Sequence, residues 1–60
     1  MTPEHILETL KLTAETHRRS EKDFQRNQLT LKAMVSAAKA VELEEMAHWL
    51  ETELRKEAAA

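Results

Sequence analysis

Cysteine and glycine are absent from the 60 residues, proline occurs once, and the aromatic set is Phe24 and Trp49 alone. Without cysteine there is no disulfide framework and no thiolate metal site. Without glycine, phosphate-cradling loops and the tight turns of most all-β folds lack their usual residue, so nucleotide-binding and β-rich readings fit poorly. No Ser-His-Asp or Cys-His arrangement can be assembled, because there is neither a thiol nor a glycine-bearing nucleophile turn. We therefore expect no catalytic residue, no metal and no cofactor. No run of 18 apolar residues occurs, and Met1-Thr2-Pro3-Glu4-His5 lacks the basic start and apolar stretch of a signal peptide. The expected setting is cytoplasmic, with no membrane partner.

What is present is a helix-forming composition. Of the 25 apolar residues nine are Ala and eight are Leu, while Ile6, Val35 and Val41 are the only β-branched aliphatics, which points to an all-α chain. A single domain of this length buries only about 60% of the surface its unfolded chain exposes. With disulfides and thiolate metal sites excluded, oligomerisation is the expected source of extra stability.

The net charge of -2 is unevenly spread. Residues 1–16 carry Lys11 against Glu4, Glu8 and Glu15. Residues 17–39 carry Arg18, Arg19, Lys22, Arg26, Lys32 and Lys39 against Glu21 and Asp23, for a local +4. Residues 40–60 hold six Glu against Arg55 and Lys56, for a local -4. A chain folding back at its middle would be positive at one end and negative at the other.

Thr2 suits an N-cap, Pro3 the first helical position and Glu4 the positive end of the helix dipole. Helix 1 is expected over about 3–25, with an apolar stripe of Ile6, Leu7, Leu10 and Ala14 that continues through His17 and Glu21 to Phe24. Residues 15–23 hold no apolar side chain. The turn is expected within 18–28. One break point is near residue 19, where His17, Arg18 and Arg19 suit a helix end and Ser20 with Glu21 and Asp23 resembles a capping box. The other uses Asn27, which tolerates a left-handed turn, and is preferred because it gives helices of more equal length. An unbroken helix is the third option.

Helix 2 is expected over about 28–57. Leu29, Ala33, Ser36, Ala40, Leu43, Ala47, Leu50 and Leu54 alternate at spacings of four and three, a heptad seam whose small members allow a second helix to approach closely. At about 100° per residue, a second set lies opposite that seam: Leu31, Met34, Val35, Ala38, Val41 and Trp49, with Phe24 if it is included. One partner helix covers one face only. The other face is expected to meet a second subunit or another protein, so Phe24, Leu31, Met34, Val35, Ala38, Val41, Met46 and Trp49 are the candidate protein-binding or dimer face, with adaptable Met and hot-spot-prone Trp among them.

Three polar constellations carry weaker readings. Glu45 and His48 have the Glu-x-x-His spacing of di-iron bundles, but they sit away from the seam and read as solvated. His5 with Glu8 and His17 with Glu21 are helical neighbours of ordinary kind. Arg18, Arg19, Lys22 and Arg26 form a basic patch, read first as a solvated turn and then as a contact for an acidic protein or for nucleic acid, with only Phe24 near enough to stack on a base.

The expected architecture is one domain over residues 1–60, an antiparallel helical hairpin that dimerises into a four-helix bundle. In size and plan it resembles plasmid RNA-binding regulators of the Rop type and other short helical regulators of phages, plasmids and sporulating bacteria, without a shared motif. The expected function is a non-enzymatic regulator or inhibitor, acting as a homodimer on a larger host protein such as a transcription regulator or ATPase, with a phage or mobile-element source. The alternative is a nucleic-acid-binding modulator of the Rop type that uses the basic hairpin end.

Overall fold

Two helices, α1 (Pro3–Arg26) and α2 (Thr30–Ala59), pack against each other in the computed structural model, which describes residues 1–59. The start of α1 follows from its first residues. The Thr2 hydroxyl accepts a hydrogen bond from the His5 amide at 3.1 Å, and Pro3 occupies the first turn where its missing N–H costs nothing. Further along, the hydroxyls of Thr9, Thr13 and Thr16 each donate to the carbonyl four residues earlier, so these polar side chains are satisfied within the helix.

The chain turns at Asn27-Gln28-Leu29, and His17 to Ser20, the other break point weighed, lie inside α1. The turn chemistry differs from expectation. Asn27 is not the left-handed residue: its φ is -92°, and Gln28 takes the positive φ of 61°. The Leu29 amide donates to the Phe24 carbonyl at 2.8 Å and the Gln28 amide to the Gln25 carbonyl at 3.1 Å. This is the Schellman pattern, whose left-handed position glycine normally fills. Asn27 contributes otherwise, since its side-chain amide donates to the Asp23 carbonyl at 2.9 Å. The α1 carbonyls at the turn are thus satisfied by one strained glutamine and one asparagine side chain.

Leu29, expected in the seam of a helix beginning near residue 28, instead precedes α2 and is 42% exposed. The Schellman bonds hold it in the turn, where its carbonyl accepts the first α2 hydrogen bond, from Ala33.

Contact between the helices is made by small residues. Ala33, Ala40 and Ala47, seven apart, are buried together with Ser36 on α2, and Ala14 is the buried residue of α1. Ala40 is fully covered. Leu7, Leu10, His17 and Phe24 from α1, and Leu43, Leu50 and Leu54 from α2, are half-buried along the margins. Among the described residues no large side chain is fully buried.

Two ion pairs fix the register. Lys11 meets Glu51 at 2.9 Å and Arg18 meets Glu44 at 2.8 Å, so seven residues up α1 match seven down α2 in an antiparallel pair. The result is a rod of 49 × 17 × 13 Å. Its radius of gyration is 14.1 Å, against about 10 Å for a compact chain of this length.

Candidate protein-binding surface

Turning α2 by 100° per residue from the buried Ala40 brings Leu31, Ala38 and Trp49 to the far side of the helix, with Met34 and Val41 on one flank and Val35 and Met46 on the other. All seven are exposed. Leu31 is 77% and Trp49 65% accessible, high values for side chains of this size. Helix α2 thus buries one face against α1 and leaves a second, largely apolar face that α1 does not cover.

The apolar surface continues around one edge of the hairpin. Near the chain termini Pro3, Ile6 and Leu10 of α1 join Met46, Trp49 and Leu50 of α2 around a groove of about 560 Å³, bordered by Glu42 and Glu45. Near the turn, Phe24 joins Leu31 and Val35 around a smaller groove bordered by Lys32 and Lys39. The Lys32 ammonium lies 5.9 Å from the Phe24 ring centroid, a cation–π distance. Phe24 is therefore half-buried between the helices and lines the edge rather than the outer face of α2. Ile6 and Leu10 carried no such role in the sequence reading. A helix-1 stripe and a helix-2 face cannot be joined until the hairpin register is known.

The opposite edge is ionic. Arg18 holds Glu44 through two parallel bonds, Nε to Oε2 at 3.0 Å and Nη2 to Oε1 at 2.8 Å, and reaches Glu21 through Nη1 at 3.1 Å. Glu51 is shared by Lys11 and by Arg55 of its own helix at 2.8 Å. The hydrogen bond from Arg18 holds the Glu44 carboxyl below its usual range, and the Lys11 bond does the same for Glu51. The carboxylates of Glu44 and then Glu21 push the Arg18 guanidinium up. These interhelical pairs were not foreseen. Their signal was readable only in hindsight, as basic residues 11 and 18 and acidic residues 44 and 51 at matching heptad steps.

This edge changes the basic patch. Arg18 is neutralised by two carboxylates, and Arg26 lies 3.5 Å from Asp23. Arg19 and Lys22 are the two members outside any ion pair among the described residues. Glu45 and His48 are both exposed, and no group of three or more potential metal-ligating side chains occurs among the described residues. No helix among them is long and apolar enough to cross a membrane.

No protein-family model matches the chain, and comparison with curated proteins and with solved structures gives no significant match.

Proposed function

We propose that this chain is a small non-enzymatic protein-binding regulator: a helical hairpin that assembles with a second copy, and whose remaining apolar edge occupies a surface of a larger protein. The observation that carries this reading is the outer face of α2, where Leu31, Met34, Val35, Val41, Met46 and Trp49 are exposed on the helix whose other side is closed by α1. An exposed apolar face of this kind, here two clusters separated by Glu42 and Glu45, is the usual mark of a protein-interaction surface. A transcription regulator or an ATPase suits such a ligand, because a narrow rod can fill a groove without a cavity of its own. The assembled pair brings four helices together, two from each copy.

The nucleic-acid alternative is less well supported. Phosphate binding needs free cations, and Arg18, the centre of the patch, spends all three of its bonds on Glu44 and Glu21.

The test is retention of a host protein from lysate by the immobilised chain. Retention should be lost in Trp49→Ala and Val41→Glu and kept in Leu12→Glu, which alters an exposed apolar residue of α1 outside the proposed surface. Retention unaffected by both α2 substitutions would overturn the reading. Binding to RNA that weakens steeply with salt and vanishes in Arg18→Glu/Arg19→Glu would replace it with the alternative.

A further inference from the structure

The outer face of α2 is self-complementary about its own middle. We infer that its occupant is the outer α2 face of a second copy, packed antiparallel about a two-fold axis at the level of residue 40. This rests on the reading above that the chain assembles with a second copy and adds the helix, the direction and the register; because the face points away from α1, the four helices lie in a row rather than in the closed bundle expected from the sequence.

Three observations carry it. The first is spacing. With the axis at residue 40, Leu31 stands at the level of the partner's Trp49, and Met34 at that of the partner's Met46. The two most exposed apolar residues of the face, Leu31 near the turn and Trp49 near the other end, thereby meet across the axis. A parallel pair would set each cluster against itself and leave the intervening Glu42 and Glu45 facing their own copies.

The second is charge. Within α2, residues 30–41 carry Lys32 and Lys39 and no acid, while residues 42–53 carry five Glu and no Lys or Arg. Glu44 and Glu51 of these are held by α1, which leaves Glu42, Glu45 and Glu53 on the outward side. Antiparallel packing brings Lys39 to within one residue of the partner's Glu42 in level and Lys32 to within a turn of the partner's Glu45. The Glu42 stem then lies over the partner's Ala38 while its charged end reaches the partner's Lys39 at the rim of the same flank. Like-charge juxtaposition disfavours the parallel arrangement.

The third is area. The hairpin exposes 4834 Å², whereas a compact monomer of its mass exposes roughly 4000 Å². The excess is close to the roughly 800 Å² that each partner contributes to a standard stable interface. An isologous contact of this kind closes on itself and stops at two copies.

Because the chain has no cysteine, single thiols can be placed freely. Spin labels on Glu57→Cys, an exposed residue of α2 outside any ion pair among the described residues, should lie about 50 Å apart in the dimer, since 34 helical residues at 1.5 Å separate the two sites along the axis. Ala38→Cys, two residues from the axis, should be cross-linked by a short bismaleimide. Trp49 is the only tryptophan, so its emission should shift to shorter wavelength as concentration drives assembly. A dimer whose Glu57→Cys labels lie within about 20 Å, or whose Ala38→Cys thiols do not cross-link, overturns this pairing while leaving the protein-binding reading intact. A chain that sediments as a monomer at 100-fold the concentration at which it captures a larger protein assigns the face to that protein and overturns both the pairing and the self-assembly in the reading above, leaving protein binding intact. A monomer that captures nothing overturns both.

Discussion

The two helices are alike in length and in helix-forming composition, yet their outer faces differ in kind. On α1 the residues turned from the partner are His5, Thr9, Leu12, Thr16, Arg19 and Asp23, all exposed and with Leu12 the one large apolar residue among them. On α2 the corresponding face carries Leu31, Val35, Ala38 and Trp49 beside Glu42, Glu45 and Glu53, and is flanked by Met34, Val41 and Met46. Helix α1 is complete once one neighbour covers its single apolar stripe. Helix α2 has two such stripes, and the hairpin supplies one neighbour. The lesson is that the seam holding a hairpin together and a second, exposed apolar face can be carried by one helix, provided the seam is made of small residues. Small residues let the backbones approach, and the large apolar side chains are left for the outside.

The sharpest way to break this contrast is to put a charge on each face in turn. Val41→Glu places an unpaired carboxylate within the proposed interface and should weaken self-association at least a hundredfold, an effect of about 3 kcal/mol. Trp49→Ala should cost about 2 kcal/mol of association, as expected of a hot-spot tryptophan. Leu12→Glu should leave the sedimentation profile unchanged. Equal effects from Leu12→Glu and Val41→Glu would mean that the faces do not differ in function. Circular dichroism should show all three variants helical, since none of these side chains is buried in the hairpin itself.

A second comparison stays within α2. Ala40 and Ala38 are two residues apart, one fully covered by α1 and one exposed on the outer face. Ala40→Leu inserts bulk into the close contact and should destabilise the hairpin by about 1–3 kcal/mol. Ala38→Leu should leave hairpin stability nearly unchanged and strengthen self-association. Thermal melts of the two variants at matched concentration separate the seam from the face.

The turn offers a stabilising change. Gln28 sits at φ 61° in the Schellman position, where a side chain with a Cβ costs roughly 1–2 kcal/mol. Part of that cost returns through the greater freedom glycine gives the unfolded chain. Gln28→Gly should therefore raise stability by about 0.5–1 kcal/mol, or a few degrees in melting temperature. It should act on the hairpin without altering the contrast between the two outer faces.

These same residues show how far the sequence could be read. The helices were legible because Thr2-Pro3-Glu4 marks a start, and because the alternation of three and four through Ala33, Ser36, Ala40, Leu43 and Ala47 marks a seam that packs on another helix, while an unbroken helix stayed open until the turn was seen. The location of the left-handed residue was not legible. Asparagine tolerates that conformation better than glutamine, but Asn27 is worth more as a side-chain donor to Asp23, and the hydrogen-bond pattern of the helix end decides which residue goes left. The ionic edge was hidden for a different reason. Lys11 and Glu51 are 40 positions apart, and nothing links them until the register is set. The pairing of Arg18 within the basic patch was hidden in the same way, because charge counted along a chain ignores partners contributed by the other helix, and Glu44 lies 26 residues beyond Arg18.

The smallest predicted effect lies on that ionic edge. Glu44 and Glu51 are held below the ordinary carboxylate range by Arg18 and Lys11, so they are harder to protonate in the folded hairpin than in the unfolded chain. A lowered folded-state value means that the stabilisation is fully present above the unfolded carboxylate range, near pH 4.3, and is lost as pH falls through the lowered values. Melting temperature should accordingly be flat from pH 7 to 5 with respect to these two groups and decline below about pH 4. Both pairs are open to solvent, so the decline should be modest and should shrink in high salt. Glu44→Gln should remove part of the acid dependence while leaving the antiparallel register intact, because the Lys11–Glu51 pair and the alanine seam still define it. A variant that changed register, read as a loss of cross-linking between cysteines placed at Glu15 and His48, which line the same edge outside the two ion pairs, in the Glu44→Gln background, would show that the ionic edge, rather than the small-residue contact, sets how the two helices align.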